Sequence, residues 1–279
     1  MRYGFDDVTV RFGERTAVHG ISLDLPSAAV TALVGGDGAG KTTLLRCLAG
    51  RVAATSGQVH TAARERTGVL AATPPGYGDL TVAENLAFVV RVRELDRAAT
   101  RERIKDLLDA TGLSGATDRL ADDLSGGMRR KLGFALATVH EPDLLLLDEP
   151  TTGVDPVSRT ELWRLMAGAA RDGAAVVLAT TYLDEAERCT GVLALDGGRP
   201  LAAGPPEDLV MRVRDGLFRR PTRGPRDRSW RRGADWRFWS PDAPPPADAT
   251  PVVGDLEDAV VVAMLDRQRS SRPTAEVSG

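Results

Sequence analysis

One stretch of this chain has the residue types and spacing to hold a polyphosphate: Gly35-Gly36-Asp37-Gly38-Ala39-Gly40-Lys41-Thr42-Thr43. It fits the pattern G-x-x-x-x-G-K-[ST]. Glycines let the backbone curl until its N–H groups point inward, forming a nest for phosphate oxygens. Lys41 then reaches toward the β- and γ-phosphates, and the Thr42 hydroxyl is placed to ligate Mg²⁺. A chance match has little room here, because lysine occurs only at positions 41, 105 and 131.

A second candidate is Asp148-Glu149, which ends a run of four leucines. A parallel strand buried on both faces delivers its last residues to the ligand crevice. An aspartate there can hold Mg²⁺, and a following glutamate can deprotonate an attacking water. Taken alone, the pair could equally be the polar end of a buried strand. A third candidate is Leu124-Ser125-Gly126-Gly127-Met128. Ser125 is a good N-cap, and the glycines expose backbone N–H groups at a helix start, a second place for an anion. In isolation the same five residues describe an ordinary capped helix.

The elements that must position these groups follow from the pattern of apolar residues. Val30–Val34 reads as a short buried strand before the glycine loop, and Leu44–Ala49 as a helix after it. Tyr3–Val10 and Ala17–Leu25 read as strands, broken at Phe12-Gly13-Glu14 and Pro26. Thr67–Leu70 is a further strand. Thr81 followed by Glu84 is a capping box ahead of a helix carrying Leu86, Phe88 and Val89, and a second helix spans about 100–110. Beyond Asp148, a helix from Asp155, a strand from Ala174 to Thr180 and a hairpin around Asp196-Gly197-Gly198 complete an α/β layer with a mainly parallel sheet. The helical stretch from about 73 to 141 is an insertion on it.

The 279 residues are 42% hydrophobic, enough for a real core. No apolar run approaches the ~18–20 residues that span a bilayer, and the N-terminus has no apolar signal core. The expectation is a cytoplasmic chain. Cys47 and Cys189 give neither a disulfide framework nor metal-ligand spacing. Residues 212–279 carry thirteen arginines against eight aspartates and two glutamates. Trp230, Trp236 and Trp239 sit among those arginines. Such interleaving can bind single-stranded nucleic acid or a membrane surface, but it reads first as an arginine- and proline-rich linker. A short helix capped by Asp255 follows it.

Together these motifs resemble the ATP-binding cassette ATPases, the nucleotide-hydrolysing subunits of ABC transporters. The resemblance covers about residues 3–210. Gly35 to Thr43 looks like the Walker A loop, Leu124 to Met128 like the signature motif, Leu144 to Glu149 like Walker B, and Thr152 to Asp155 like the D-loop. Phe12 sits where the family places an aromatic that stacks on adenine. The wording at 80–86, 151–156 and 182–189 is similar to bacterial multidrug-type exporters with ABC-2 membrane subunits. The resemblance implies a P-loop NTPase core with an N-terminal antiparallel β-subdomain and an inserted α-helical subdomain. Residues 1–210 would be the nucleotide-binding domain and 211–279 the linker with its helix.

It also implies a mechanism. Two cassettes, identical or different, pair head to tail with ATP and Mg²⁺ between them. Thr42 and Asp148 would hold the metal and Glu149 would be the base. Ser125, Gly126 and Gly127 would contact the nucleotide of the opposite cassette. A separate ABC-2 permease would be the transmembrane partner, placing the chain on the inner face of the membrane. Two positions depart from the family. Its Q-loop glutamine falls on Ala72, and its switch histidine falls on Thr181, which can still offer the γ-phosphate one hydrogen bond. These losses suit a regulatory cassette that binds ATP and hydrolyses it poorly. A non-transport cassette acting on nucleic acid or ribosomes has only the arginine-rich tail in its favour.

Overall fold

Strands buried on both faces set the frame of the molecule. The structure, a computed structural model, describes residues 2–73, 76–241, 244 and 246–270. A long hairpin of β1 (Tyr3–Phe12) and β2 (Arg15–Leu25) opens the chain, and β3 (Ala29–Val34) enters the central sheet. α1 (Lys41–Leu48) follows the glycine loop, and β4 (Ser56–His60) returns to pair with β1. β5 (Thr67–Leu70) precedes three helices, α2 (Val82–Val92), α3 (Arg97–Thr111) and α4 (Gly126–Thr138). Next come β6 (Leu144–Asp148), α5 (Pro156–Arg171), β7 (Ala175–Thr180) and the one-turn α6 (Leu183–Ala186). The hairpin of β8 (Gly191–Asp196) and β9 (Arg199–Gly204) leads to α7 (Pro206–Met211).

The central sheet has the order β5-β6-β7-β3-β8-β9, parallel except at its β8–β9 edge. The leucine run in β6 explains itself by alternation. Leu145 and Leu147 face α5, packing in one cluster with Trp163 and Met166. Leu144 and Leu146 face the other way, into a cluster with Leu44, Leu45 and Leu48 of α1. A strand covered on both faces cannot alternate apolar with polar. The antiparallel sheet β2-β1-β4 closes over that second face. The helical layer has its own core, built from Val82, Leu86 and Val90 of α2 with Leu107, Leu132 and Leu136. The capping box at its entrance is formed: Glu84 N–H donates to Thr81 Oγ1 at 3.2 Å, and Thr81 N–H donates to Glu84 Oε2 at 2.8 Å. Both cysteines are buried, and burial pushes the Cys47 thiol up to about 11 and that of Cys189 to about 12. Neither is poised as a thiolate at neutral pH.

The tail corrects the linker expectation. β10 (Leu217–Arg220), β11 (Ser229–Arg232), β12 (Asp235–Trp239) and β13 (Thr250–Pro251) form an antiparallel sheet of order β11-β12-β10-β13. α8 (Leu256–Ser270) then packs into the core cluster of the central sheet through Leu256, Ala259 and Val262. The interleaved arginines and tryptophans lie on paired strands, with Trp230 opposite Arg237 and Trp236 opposite Arg231. Several of the arginines are spoken for by carboxylates: Arg220 pairs with Asp248 at 3.0 Å, and Arg232 and Arg237 both reach the fully buried Asp258, at 2.7 and 3.4 Å. Asp255 caps α8 by accepting from Asp258 N–H at 3.0 Å. Residues 271–279, the end of the expected tail, lie outside the described residues.

One buried group makes the fold sensitive to acid. His140, just past α4, faces the Thr67 carbonyl with Nε2 at 3.2 Å. A carbonyl only accepts, so Nε2 carries the proton and Nδ1 is left as a buried acceptor without a partner. Burial, with Arg93 and Arg66 nearby, pulls the imidazole down from 6.5 to about 4. The folded state therefore binds fewer protons than the unfolded state between these values. Its stability is complete above about pH 6.5 and falls as pH drops toward 4. The expected loss is about 2 kcal/mol once solvent screening is allowed for. Urea unfolding from pH about 7 to about 4.5 should show it, and His140→Gln should flatten that dependence. Equal slopes for the two proteins would remove His140 as its source.

Candidate functional site

The glycine loop bridges the end of β3 and the start of α1. Gly40 sits at the cap with φ +103°, and a Cβ there would lie 3.0 Å from the Ala17 carbonyl oxygen, so only glycine fits. Lys41 is buried. Its Nζ donates to the Gly35 carbonyl at 2.6 Å and the Gly36 carbonyl at 3.3 Å, and lies 3.6 Å from Glu149 Oε1. Thr42 Oγ1 lies 3.0 Å from Asp148 Oδ2 and 3.2 Å from Oδ1. β7 separates β3 from β6 in the sheet, so this contact joins the start of α1, beyond β3, to the end of β6 across the crevice. Glu149 has φ +47°, an uncommon conformation for a non-glycine residue. Its N–H donates to the Ala179 carbonyl at 2.9 Å, and its Oε2 accepts from Thr152 Oγ1 at 3.0 Å. The backbone of Glu149 is thus fixed to β7, and its carboxylate has Lys41 near Oε1 and Thr152 at Oε2.

A cleft of about 460 Å³ gathers Phe12, Asp37, Gly38, Ala39, Gly40, Lys41, Thr42, Thr43, Ala72, Asp148 and Glu149. Phe12 is half exposed on its rim. Gly35 and Gly36 border it through the carbonyls that Lys41 grips. Thr42 and Asp148 present hard oxygen donors to one point, which fits a Mg²⁺ ion. No group of three or more metal-ligating side chains occurs among the described residues. Magnesium held by one or two protein oxygens, with phosphates and waters completing its shell, requires none.

Other expected site residues lie outside the cleft lining. Ser125 and Gly126 are exposed at the N-terminus of α4, where Ser125 Oγ accepts from Met128 N–H at 3.3 Å. Gly127 lies beneath them against the start of α5. A Cβ there would come within 2.5 Å of Ser158 Oγ. Thr181 is exposed just past β7 and does not line the cleft. The end of β7 points its last buried hydroxyl, Thr180, away toward Glu185 instead.

Two arginines near the cleft belong to none of the sequence motifs. Arg15 lines the cleft beside the loop, and its signal was its pairing opposite Phe12 across the hairpin turn. Arg130, on α4, donates to the Ala71 carbonyl at 3.3 Å. Burial lowers its pKa, while the charges of Glu149 and Asp148 oppose that shift. No local pattern marks a side chain that crosses from one layer to the next.

A phosphate loop between a parallel strand and a helix, with two carboxylates at the end of a nearby strand, defines a P-loop nucleotide-binding protein. Residues 18–152 match the family described as ABC transporter. The chain is 41% identical over 225 residues to the probable multidrug ABC transporter ATP-binding protein YbhF of Escherichia coli K12, covering 76% of this chain and 39% of that protein. It therefore spans well under half the length of that relative. It is 36% identical over 217 residues to the Nod factor export ATP-binding protein I of Paraburkholderia xenovorans, covering 74% and 71% of the two chains. With the daunorubicin/doxorubicin resistance ATP-binding protein DrrA of Streptomyces peucetius it shares 39% identity over 217 residues, 73% of this chain and 65% of that one. Among solved structures, an ATP-binding subunit of an ABC transporter superposes with a TM-score of 0.70 at 25% identity, over 76% of this chain and 93% of that one. The chain belongs to the family of ABC transporter ATP-binding proteins.

Proposed function

We propose that this chain is the ATP-hydrolysing subunit of an exporter, working as a head-to-tail pair on a separate ABC-2 permease. The observation that carries this reading is a division of labour within one chain. Lys41, Thr42, Asp148 and Glu149 converge on one cleft, while Ser125 and Gly126 stand exposed outside it. A single chain has two half-sites for an anion and no means of joining them. Two copies joined head to tail would complete two sites, because each copy carries both halves.

In that pair the loop N–H groups and Lys41 hold the β- and γ-phosphates, and Phe12 stacks on the base. Mg²⁺ held by Thr42 and Asp148 would supply charge neutralisation at the phosphates. Glu149 accepts the proton of a water aimed at the γ-phosphorus. Ser125, Gly126 and Gly127 bind the same nucleotide from the opposite chain. No helix of the described residues is long and apolar enough to cross a membrane, so membrane contact would come through the permease. A groove of about 590 Å³ between the sheet and the helical layer suits that contact. It presents the edge-to-face pair Tyr77 and Phe88, both exposed, beside Arg51, Arg64 and Arg93.

Ala72 in the cleft, and Thr181 out of it, favour a slow version of this enzyme. Alanine offers the metal and the γ-phosphate nothing. Losing contacts worth about 2.7–4 kcal/mol slows a step by roughly 10²–10³. The purified chain should bind ATP well and turn it over weakly. Ala72→Gln combined with Thr181→His should raise turnover at saturating ATP in a phosphate-release assay. Brisk wild-type turnover, unchanged or lowered by the restoration, would show that other groups fill these roles.

A further inference from the structure

Glu185, on α6, is a carboxylate with no exposed surface, and none of the roles above uses it. Its Oε1 accepts from the Thr151 hydroxyl and from Arg159 Nε, the latter at 3.0 Å, and its Oε2 accepts from the Thr180 hydroxyl at 2.7 Å. A buried charge survives only when paired and hydrogen-bonded. Here the donors come from three separate segments around the cleft.

Thr151 lies two residues past Glu149, in the turn that gives Glu149 its positive φ. Thr180 ends β7, and its Oγ1 also accepts from Tyr182 N–H at 3.1 Å, closing the turn that carries Thr181. Arg159 lies in the first turns of α5, where it also pairs with Asp184 at 2.7 Å and lies 4.9 Å from the centre of the Tyr182 ring. That end of α5 is capped by Asp155 and meets Gly127 through Ser158. A continuous set of contacts therefore runs from the Ser125–Gly127 turn through α5 and Glu185 to the Glu149 turn.

We propose that Glu185 is a positioning residue for hydrolysis, holding the Glu149 turn, the Thr181 turn and the start of α5 as one rigid unit. Docking of an opposite cassette on Ser125–Gly127 and α5 is then felt at the base. The inference rests on the reading of Glu149 as the general base. Misplacing an attacking group by about 1 Å costs on the order of 10²-fold in rate while leaving distant binding contacts intact.

The test is steady-state phosphate release against ATP concentration for wild type, Glu185→Gln, Thr180→Val and Thr180→Ser, with Glu149→Gln as control. Glu185→Gln and Thr180→Val should lower kcat about tenfold or more, with KM for ATP within about twofold of wild type. Thr180→Ser restores the hydroxyl and should restore kcat. If thermal melting shows Glu185→Gln unfolded, the Thr180 pair decides alone. Wild-type kcat in Thr180→Val, an equal loss in Thr180→Ser, or a loss expressed in KM would overturn the inference. Full turnover by Glu149→Gln would remove the base it rests on. An inactive Glu149→Gln beside fully active Glu185→Gln and Thr180→Val would remove the inference alone.

Discussion

Glu149→Gln is expected to bind ATP at least as well as wild type and to lose turnover. Glutamine keeps the shape and can still accept from Thr152, but it cannot take a proton from water. The backbone that aims the side chain is untouched, since the Glu149 N–H bond to Ala179 involves no side-chain atom. Removing the carboxylate also removes a negative charge 3.6 Å from Lys41, close to where the γ-phosphate would lie. A positioned general base typically contributes about 10²–10⁴-fold, so phosphate release should fall by that order. A fluorescent ATP analogue should titrate both proteins alike. Turnover at the wild-type rate would end the role given to Glu149.

Lys41→Ala is expected to fail earlier, at binding. Lys41 is the cation that the loop folds around, gripping the Gly35 and Gly36 carbonyls and facing Glu149. Alanine leaves those acceptors and the incoming phosphates without a balancing charge. A charge-assisted contact is worth about 1.5–3 kcal/mol, so ATP affinity should drop roughly tenfold or more. The Thr42–Asp148 contact and the packing of Leu44, Leu45 and Leu48 do not depend on Lys41, so the chain should stay folded. Thermal melting separates the two effects. Equal affinity for wild type and variant would remove the phosphate-loop reading.

The parts of this molecule legible in the sequence are those whose physics is local. The phosphate loop announces itself because nest, lysine and hydroxyl lie within nine consecutive residues. β3, β6 and β7 show as apolar runs because helices or strands cover both their faces. β4 does not show. It borders β1 with a largely exposed Ser-Gly-Gln-Val-His and has almost no apolar signal. The tail sheet was hidden for a different reason. Its arginines look unpaired until Asp248, Asp255 and Asp258, some twenty to thirty residues away, come alongside them. Arg130 and Glu185 were equally opaque, since each gains meaning only from segments distant in sequence. The position of Thr181 was readable from the end of β7, but the turn that leaves it outside the cleft was not.

The proposed function requires two half-sites to meet between two copies of the chain. If ATP closes the pair as proposed, Glu149→Gln should trap that state, because the nucleotide would not be consumed. Light scattering on this variant, with and without MgATP, measures it directly. The expected result is a single-chain mass without nucleotide and twice that mass with it. A single-chain mass at saturating ATP, with binding shown on the same sample, would contradict it.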